Sequence, residues 1–131
     1  MDQHSESLLL HVHPDLVMVI RAASQEPVPF MIVYGIRTLE AERAAVASGH
    51  SQTMHSRHLE SPDGKCRAVD VAQLVFGKPV WGKGHEAHVF GSINDQIQAV
   101  AKTLNIPVEW GGDWKTFKDW GHFQLPWKQY P

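Results

Sequence analysis

Residues 56–76 read SRHLESPDGKCRAVDVAQLVF, and the rest of the chain is organised around them. The second half alternates and is rich in β-branched residues, the pattern of a half-buried strand. Asp70 interrupts that strand, and a carboxylate in an apolar strand is costly unless something pairs with it. The first half is polar, carries Pro62 and Gly64 as a loop would, and holds His58. Much later, Asp119-Trp120-Gly121-His122-Phe123 supplies a second histidine and a second acid. Two imidazoles and a carboxylate are a common ligand set for a catalytic zinc, with one position left for water. The other acid is then free to act as a base. Each residue also has a plainer reading: His58 as a surface histidine, Asp119 as a turn acid beside Lys118.

Upstream, Phe30-Met31-Ile32-Val33-Tyr34-Gly35 is β-rich and bounded by Pro29 and Gly35, which predicts a buried strand. His13-Pro14-Asp15 opens a helix that carries Leu16, Val19 and Ile20 and ends before Pro27. Thr38 is placed to cap a second helix, with Glu42 near its first turn. Leu39, Ala41, Ala44, Ala45 and Val46 continue it to Gly49. Residues 50–67 read as a loop and 68–76 as the second strand. Downstream, 77–84 is turn-rich, with Trp81 expected as an anchor. A third helix runs from about Ser92 to Leu104, with Ile93, Ile97, Val100, Ala101 and Leu104 on one face. Residues 107–110 and 122–125 read as two short strands, separated by Gly111-Gly112 and ended by Pro126. The expectation is an α+β single domain spanning 1–131, with about three helices and a small, largely antiparallel sheet.

At 131 residues and 43% hydrophobic content the chain can bury a sizeable core without staples. A net charge of −2 excludes a strong nucleic-acid binder, which needs clustered Lys and Arg. Cys66 is the lone cysteine, so no internal disulfide forms. The first sixteen residues, MDQHSESLLLHVHPDL, lack the basic segment and apolar run of a secretory signal. No stretch approaches the ~20 apolar residues of a membrane span. Synthesis in the cytoplasm, without an integral membrane segment, is expected.

Ser56-Arg57-His58, Ala68-Val69-Asp70 and Asp119-Trp120-Gly121-His122 resemble three elements of the zinc-dependent peptidoglycan peptidases. That group contains the D-alanyl-D-alanine carboxypeptidases and the L-alanyl-D-glutamate endopeptidases, and its elements are Ser-x-His, Ala-Val-Asp and a late acid-x-x-His. Among its members the chain is most similar to the small phage endolysins. Val33-Tyr34-Gly35-Ile36-Arg37-Thr38 resembles the family's Gly-Tyr-Arg-Ser/Thr segment. Trp110-Gly111-Gly112-Asp113-Trp114 followed by His122-Phe123-Gln124-Leu125 resembles its C-terminal signature. The likeness runs from about His13 to Leu125.

The resemblance implies a Hedgehog/DD-peptidase-like fold with Zn2+ on His58, Asp70 and His122, and Asp119 as general base. It implies Arg37 near the scissile carbonyl or a substrate carboxylate, Ser56 as a hydrogen-bonding group for substrate, and Trp120 in a substrate groove. The implied partner is the peptidoglycan stem peptide, cut at the L-alanyl-D-glutamate bond. A monomer without a separate wall-binding domain would reach the wall once another protein permeabilises the membrane. Three alternatives stand beside this: a D-alanyl-D-alanine carboxypeptidase, an inert zinc-stabilised wall-binding domain, and a structural protein without metal.

The chain departs from the family in one spacing. His58 and Asp70 are separated by eleven residues where the family usually has six. Removing residues 61–65, SPDGK, restores the shorter gap, so this is read as a surface insertion at a turn-prone Pro-Asp-Gly. Cys66 then occupies the family's glycine position; it is a rival thiolate ligand, read here as a small buried thiol. His85-Glu86-Ala87-His88 is a competing cluster, read as a solvated loop because no third ligand is near. His11, His13, His50 and His55 are read as surface residues.

Overall fold

The computed structural model describes residues 1–37, 39–49 and 56–131. In chain order these form α1 (Gln3–Leu9), α2 (Pro14–Ala23), β1 (Phe30–Tyr34), α3 (Leu39–Ala47), β2 (Ala68–Val75), β3 (Lys78–Val80), α4 (Glu86–Leu104), β4 (Glu109–Trp110) and β5 (His122–Gln124). A short 3₁₀ turn, Gly111–Asp113, follows β4.

The strand built from RAVDVAQLV is the centre of an antiparallel sheet ordered β1-β2-β5-β4. Asp70 faces Tyr34 of β1 on one edge and His122 of β5 on the other. Gln73 faces Phe30 and Val80 in the same way, so β3 continues the edge that β5 begins. Because side chains alternate, Val69 and Val71 turn to the core while Asp70, between them, points to the other face. Phe123 and Leu125 of the β5 segment lie with the two valines, alongside Leu16, Val19 and Ile20 of α2 and Phe90, Ile93 and Ile97 of α4. Each such fully buried side chain contributes about 1.5–3 kcal/mol. That apolar face supports a polar one.

Two local devices fix the sheet's free edge and its register. Along β1, Ile32 faces Val71 but Tyr34 faces Asp70, so two residues of β1 are set against one step of β2. This bulge at Val33 keeps Ile32 in the core and brings Tyr34 onto the polar face. On the outer side of β1, the Ile32 N–H donates to Ser5 Oγ (2.9 Å), and Ser5 is fully buried. Asp2 caps α1 by accepting from the Ser5 N–H (2.8 Å) and hydroxyl (2.9 Å). Helix α1 therefore covers an edge that would otherwise offer unpaired backbone groups. The sequence pattern did not reveal this short helix.

The helix expected at His13-Pro14-Asp15 begins there, and His13 is more than a surface residue. Its Nδ1 accepts from the Asp15 N–H (3.1 Å), capping α2, and its ring meets Tyr130 edge-on at 5.1 Å. The second helix is present as α3; Thr38, His50 and His55 and the side chains of Leu39, Glu42 and Ala45 lie outside the described residues. Two expectations need correction. The turn-rich stretch contains β3, where Pro79 is tolerated on an outer edge, and Trp81 is 54% exposed and lies outside the core cluster. Helix α4 begins at Glu86, so Glu86-Ala87-His88 is its first turn and not a loop. Among the described residues, no helix is long and apolar enough to cross a membrane.

Candidate metal centre

Antiparallel register brings Asp70 and His122 together, since residues directly opposite on neighbouring strands share a face. His122 Nδ1 lies 3.1 Å from Asp70 Oδ1. His58 arrives from the irregular segment before β2, and its Nε2 lies 3.2 Å from the same oxygen. The two imidazole rings meet edge-on at 5.0 Å.

Hydrogen bonds behind the rings decide which nitrogens face inward. His58 Nδ1–H donates to the Gly35 carbonyl (2.8 Å), which leaves Nε2 with its lone pair toward Asp70. His122 is set by a two-step chain. The Glu109 carboxylate accepts from Gln124 Nε2 (3.3 Å), so the Gln124 carbonyl turns to His122 and accepts from its Nε2–H (2.7 Å). Nδ1 of His122 is then left with its lone pair toward Asp70. One lone pair from each ring and a carboxylate oxygen thus converge, with the three ligand atoms within 4.8 Å of one another. That donor set suits a borderline-soft divalent ion, and three protein ligands leave a coordination position open. The residues fit a catalytic metal.

The charges agree with this arrangement. Burial pushes the Asp70 carboxyl up, but hydrogen bonds donated by His122 and His58, whenever an inward ring nitrogen carries a proton in place of a metal, prevail and hold it well below the usual carboxylate range. Burial opposes charge on His122, while Asp70 prevails and raises its pKa. Asp119 moves the other way from Asp70: burial and then the negative charge of Asp70 push its pKa up, only partly countered by His122 and His58. Its Oδ2 sits 3.8 Å from His122 Nδ1, yet its side chain is 48% exposed where that of His122 is 6%. A carboxylate of raised basicity stands at the mouth of the site.

The turn carrying Asp119 is built by close backbone approach. The His122 N–H donates to the Asp119 carbonyl (3.2 Å), and the Asp119 N–H to the Gly111 carbonyl (3.1 Å). A Cβ on Gly111 would lie 2.3 Å from the Asp119 carbonyl oxygen, and one on Gly121 would lie 2.6 Å from that of Val71. Only glycine fits at either position. Gly111-Gly112 thus ends β4 and also seats the candidate base.

The remaining sequence-predicted residues take these places. The Arg37 N–H donates to the His58 carbonyl (2.7 Å), its guanidinium lies 5.0 Å from the Tyr34 ring, and its Nε donates to the Tyr34 hydroxyl. The Tyr34 ring in turn meets His58 edge-on at 5.0 Å. Ser56 Oγ accepts from the His58 N–H (3.1 Å), a turn that shapes the histidine's own backbone. Trp120 accepts at its carbonyl from Trp110 Nε1 (2.7 Å), and Lys118 Nζ sits 5.8 Å over its ring. It is the ring of Trp114 that touches a ligand, 5.1 Å from His122. Cys66 is fully buried, burial raises its thiol pKa, and it stands apart from the cluster. Residues 61–65 form a closed turn, with the Ser61 N–H bonded to the Lys65 carbonyl and Asp63 bidentate to Arg67 (3.0 Å each).

Tyr34, Gln124 and Glu109 are parts of the site that sequence reasoning missed. Tyr34 lay within a quoted motif, but only the bulge aims it at His58. Gln124 carries a signal that could have found it: two residues after a candidate ligand on a strand, it must share that ligand's face.

Comparison with known proteins finds relatives of one kind. A sequence model of the phage L-alanyl-D-glutamate peptidase family matches residues 1–123. The L-alanyl-D-glutamate peptidase of Escherichia phage T5 is 30% identical over 122 residues, covering 90% of this chain and 83% of that protein. The peptidoglycan L-alanyl-D-glutamate endopeptidase CwlK of Bacillus subtilis is 27% identical over 109 residues, 79% of this chain and 65% of CwlK. The crystal structure of the Serratia marcescens L-Ala D-Glu endopeptidase ChiX superposes with a TM-score of 0.85 at 40% identity, covering 100% of this chain and 92% of ChiX.

Proposed function

The chain belongs to the phage L-alanyl-D-glutamate peptidase family, and we propose that it is a zinc peptidase hydrolysing the L-alanyl-D-glutamate bond of the peptidoglycan stem peptide. The observation that carries the reading is the convergence of His58 Nε2, His122 Nδ1 and Asp70 on one point, with Asp119 beside it. His58, Asp70 and His122 would hold the ion, each ring fixed from behind by Gly35 or Gln124. Zinc there supplies Lewis acidity, which brings the pKa of water toward neutrality and polarises a carbonyl. Asp119 takes the proton from the attacking water at its carboxylate and passes it to the leaving amine. Its raised basicity suits the first transfer, and its exposure gives substrate access to it.

Arg37 is assigned to the carbonyl or a carboxylate of the substrate, where a fixed cation stabilises developing negative charge. Tyr34 holds it there, through the hydroxyl and the ring face. Ser56 and the tryptophans around the turn, Trp114 and Trp120, would meet the peptide. As an endolysin, the protein acts on the wall after release from the cytoplasm, as a monomer.

A digest of purified peptidoglycan, with products resolved by mass and new amino termini labelled, tests this. New termini on D-glutamate that disappear with chelator and return with zinc are expected. Release of terminal D-alanine alone would make the enzyme a carboxypeptidase. Bound zinc without products would leave a wall-binding domain.

A further inference from the structure

We propose that the tip of the β2–β3 hairpin is a membrane-surface contact, which seats Phe76 in the interfacial zone of an anionic bilayer with Lys78 and Lys83 among the head groups. The hairpin turn is Phe76-Gly77, with both residues at positive φ, 51° and 76°. Such two-residue turns favour Asn-Gly or Asp-Gly, so phenylalanine stands where a small polar residue is expected. It is strained there and also completely exposed, at 101%. Nothing in the described fold gains from it.

Its surroundings are of one chemical kind. Val75 before it is 39% exposed and Trp81 beyond β3 is 54% exposed. The stretch 76–84, FGKPVWGKG, holds two lysines and no acid, in a chain of net charge −2. Among the described residues neither lysine has an ion-pair partner, and the next acid, Glu86, accepts from the Gly84 N–H. An aromatic apex with Val75 and Lys78 beside the turn, and with Trp81 and Lys83 farther back along the return, matches the interface of a bilayer with anionic head groups. Trp and Phe favour that depth, and the lysines meet phosphate.

The hairpin is held firmly enough to present this tip. β3 pairs with β2 from Gln73↔Val80 to Val75↔Lys78. The return is pinned at Gly82, where a Cβ would lie 2.6 Å from Val89 Cγ2 on α4. Six residues of strand separate Phe76 from Asp70, about 20 Å. The contact is thus remote from the metal centre and independent of what that centre hydrolyses.

Flotation of the zinc-loaded protein with vesicles tests the proposal. The wild-type chain should float with phosphatidylglycerol–phosphatidylethanolamine vesicles, much less with phosphatidylcholine alone, and less as salt is added. Phe76→Asn should lose about tenfold in partition, by removing a buried ring, while melting at the same temperature or higher because Asn accepts positive φ. Lys78→Glu and Lys83→Glu should each lose about fivefold or more, since a single lysine near an anionic surface is worth about that factor. All three variants should cleave soluble muropeptides at the wild-type rate. Equal flotation of Phe76→Asn and wild type would overturn the proposal, as would equal binding to phosphatidylcholine. Binding to purified peptidoglycan with no vesicle binding would overturn it as well and assign the tip to the wall polymer.

Discussion

The two histidines reach Asp70 by different means. His122 is its cross-strand neighbour, so the ladder that builds the sheet also brings together two of the three candidate ligands. His58 lies outside the sheet and is held by separate contacts: Gly35 behind its ring, Ser56 on its N–H, and the Arg37 N–H on its carbonyl. One ligand is a consequence of the fold, and the other depends on a set of local bonds. The sheet-borne pair should therefore persist when the loop-borne ligand is removed, and the converse should fail.

The largest effect belongs to His122→Ala. It should abolish stoichiometric zinc and hydrolysis together, whereas His58→Ala should keep weak zinc binding at the Asp70–His122 pair. Metal analysis after dialysis separates them; equal loss in both variants would remove the distinction. Next comes Asp119→Ala, which should retain zinc and lose about 10²–10⁴-fold in hydrolysis, the usual worth of a positioned base. Surviving activity would take the base role from it. Gln124→Ala should weaken zinc affinity by about 10–100-fold, as removal of a partner behind a ligand typically does. A competition titration against a chromophoric chelator reads this directly, and unchanged affinity would mean that His122 needs no support beyond the sheet.

A pH comparison gives the subtlest effect. Asp70 has its folded pKa depressed, so its stabilisation is present above its unfolded value and lost as pH falls through the folded one. His122 has its folded pKa raised, so its contribution is full below the unfolded value and lost as pH rises through the folded one. Without metal, the cluster should stabilise the fold most between about pH 4 and 6.5. With zinc, affinity, stability and hydrolysis should instead fall below about pH 6 as protons compete for the rings. Thermal melts across that range should stay level with chelator and rise with pH when zinc is present. Parallel slopes would break the link between these residues and the ion.

Much of this was legible in the sequence because it followed from alternation and short spacings. Asp70 stood out as a carboxylate within an apolar strand, and Asp119 and His122 shared one tight turn. What stayed hidden depended on pairings distant in sequence. Helix α1 is short and weakly patterned, and its purpose appears only when Ser5 meets the edge of β1. β3 was masked by Pro79, which edge position permits, and the start of α4 by the glycines before it. Glu109 gained a role only because β4 lies beside Gln124. Tyr34 needed a bulge that no periodicity announces.

That bulge implies an uneven tolerance for changes in chain length. Five residues at 61–65 are accommodated by a self-closed turn, so insertions or deletions there change a rim without altering the sheet. At Val33 a deletion of one residue would restore plain alternation. Ile32 would still face Val71 and Tyr34 would still face Asp70, whereas a residue added between Phe30 and Ile32 would turn one of those two off the core. Lineages can therefore lengthen or shorten the first segment freely, while β1 can lose its bulge residue but tolerates no shift of count between Phe30 and Ile32.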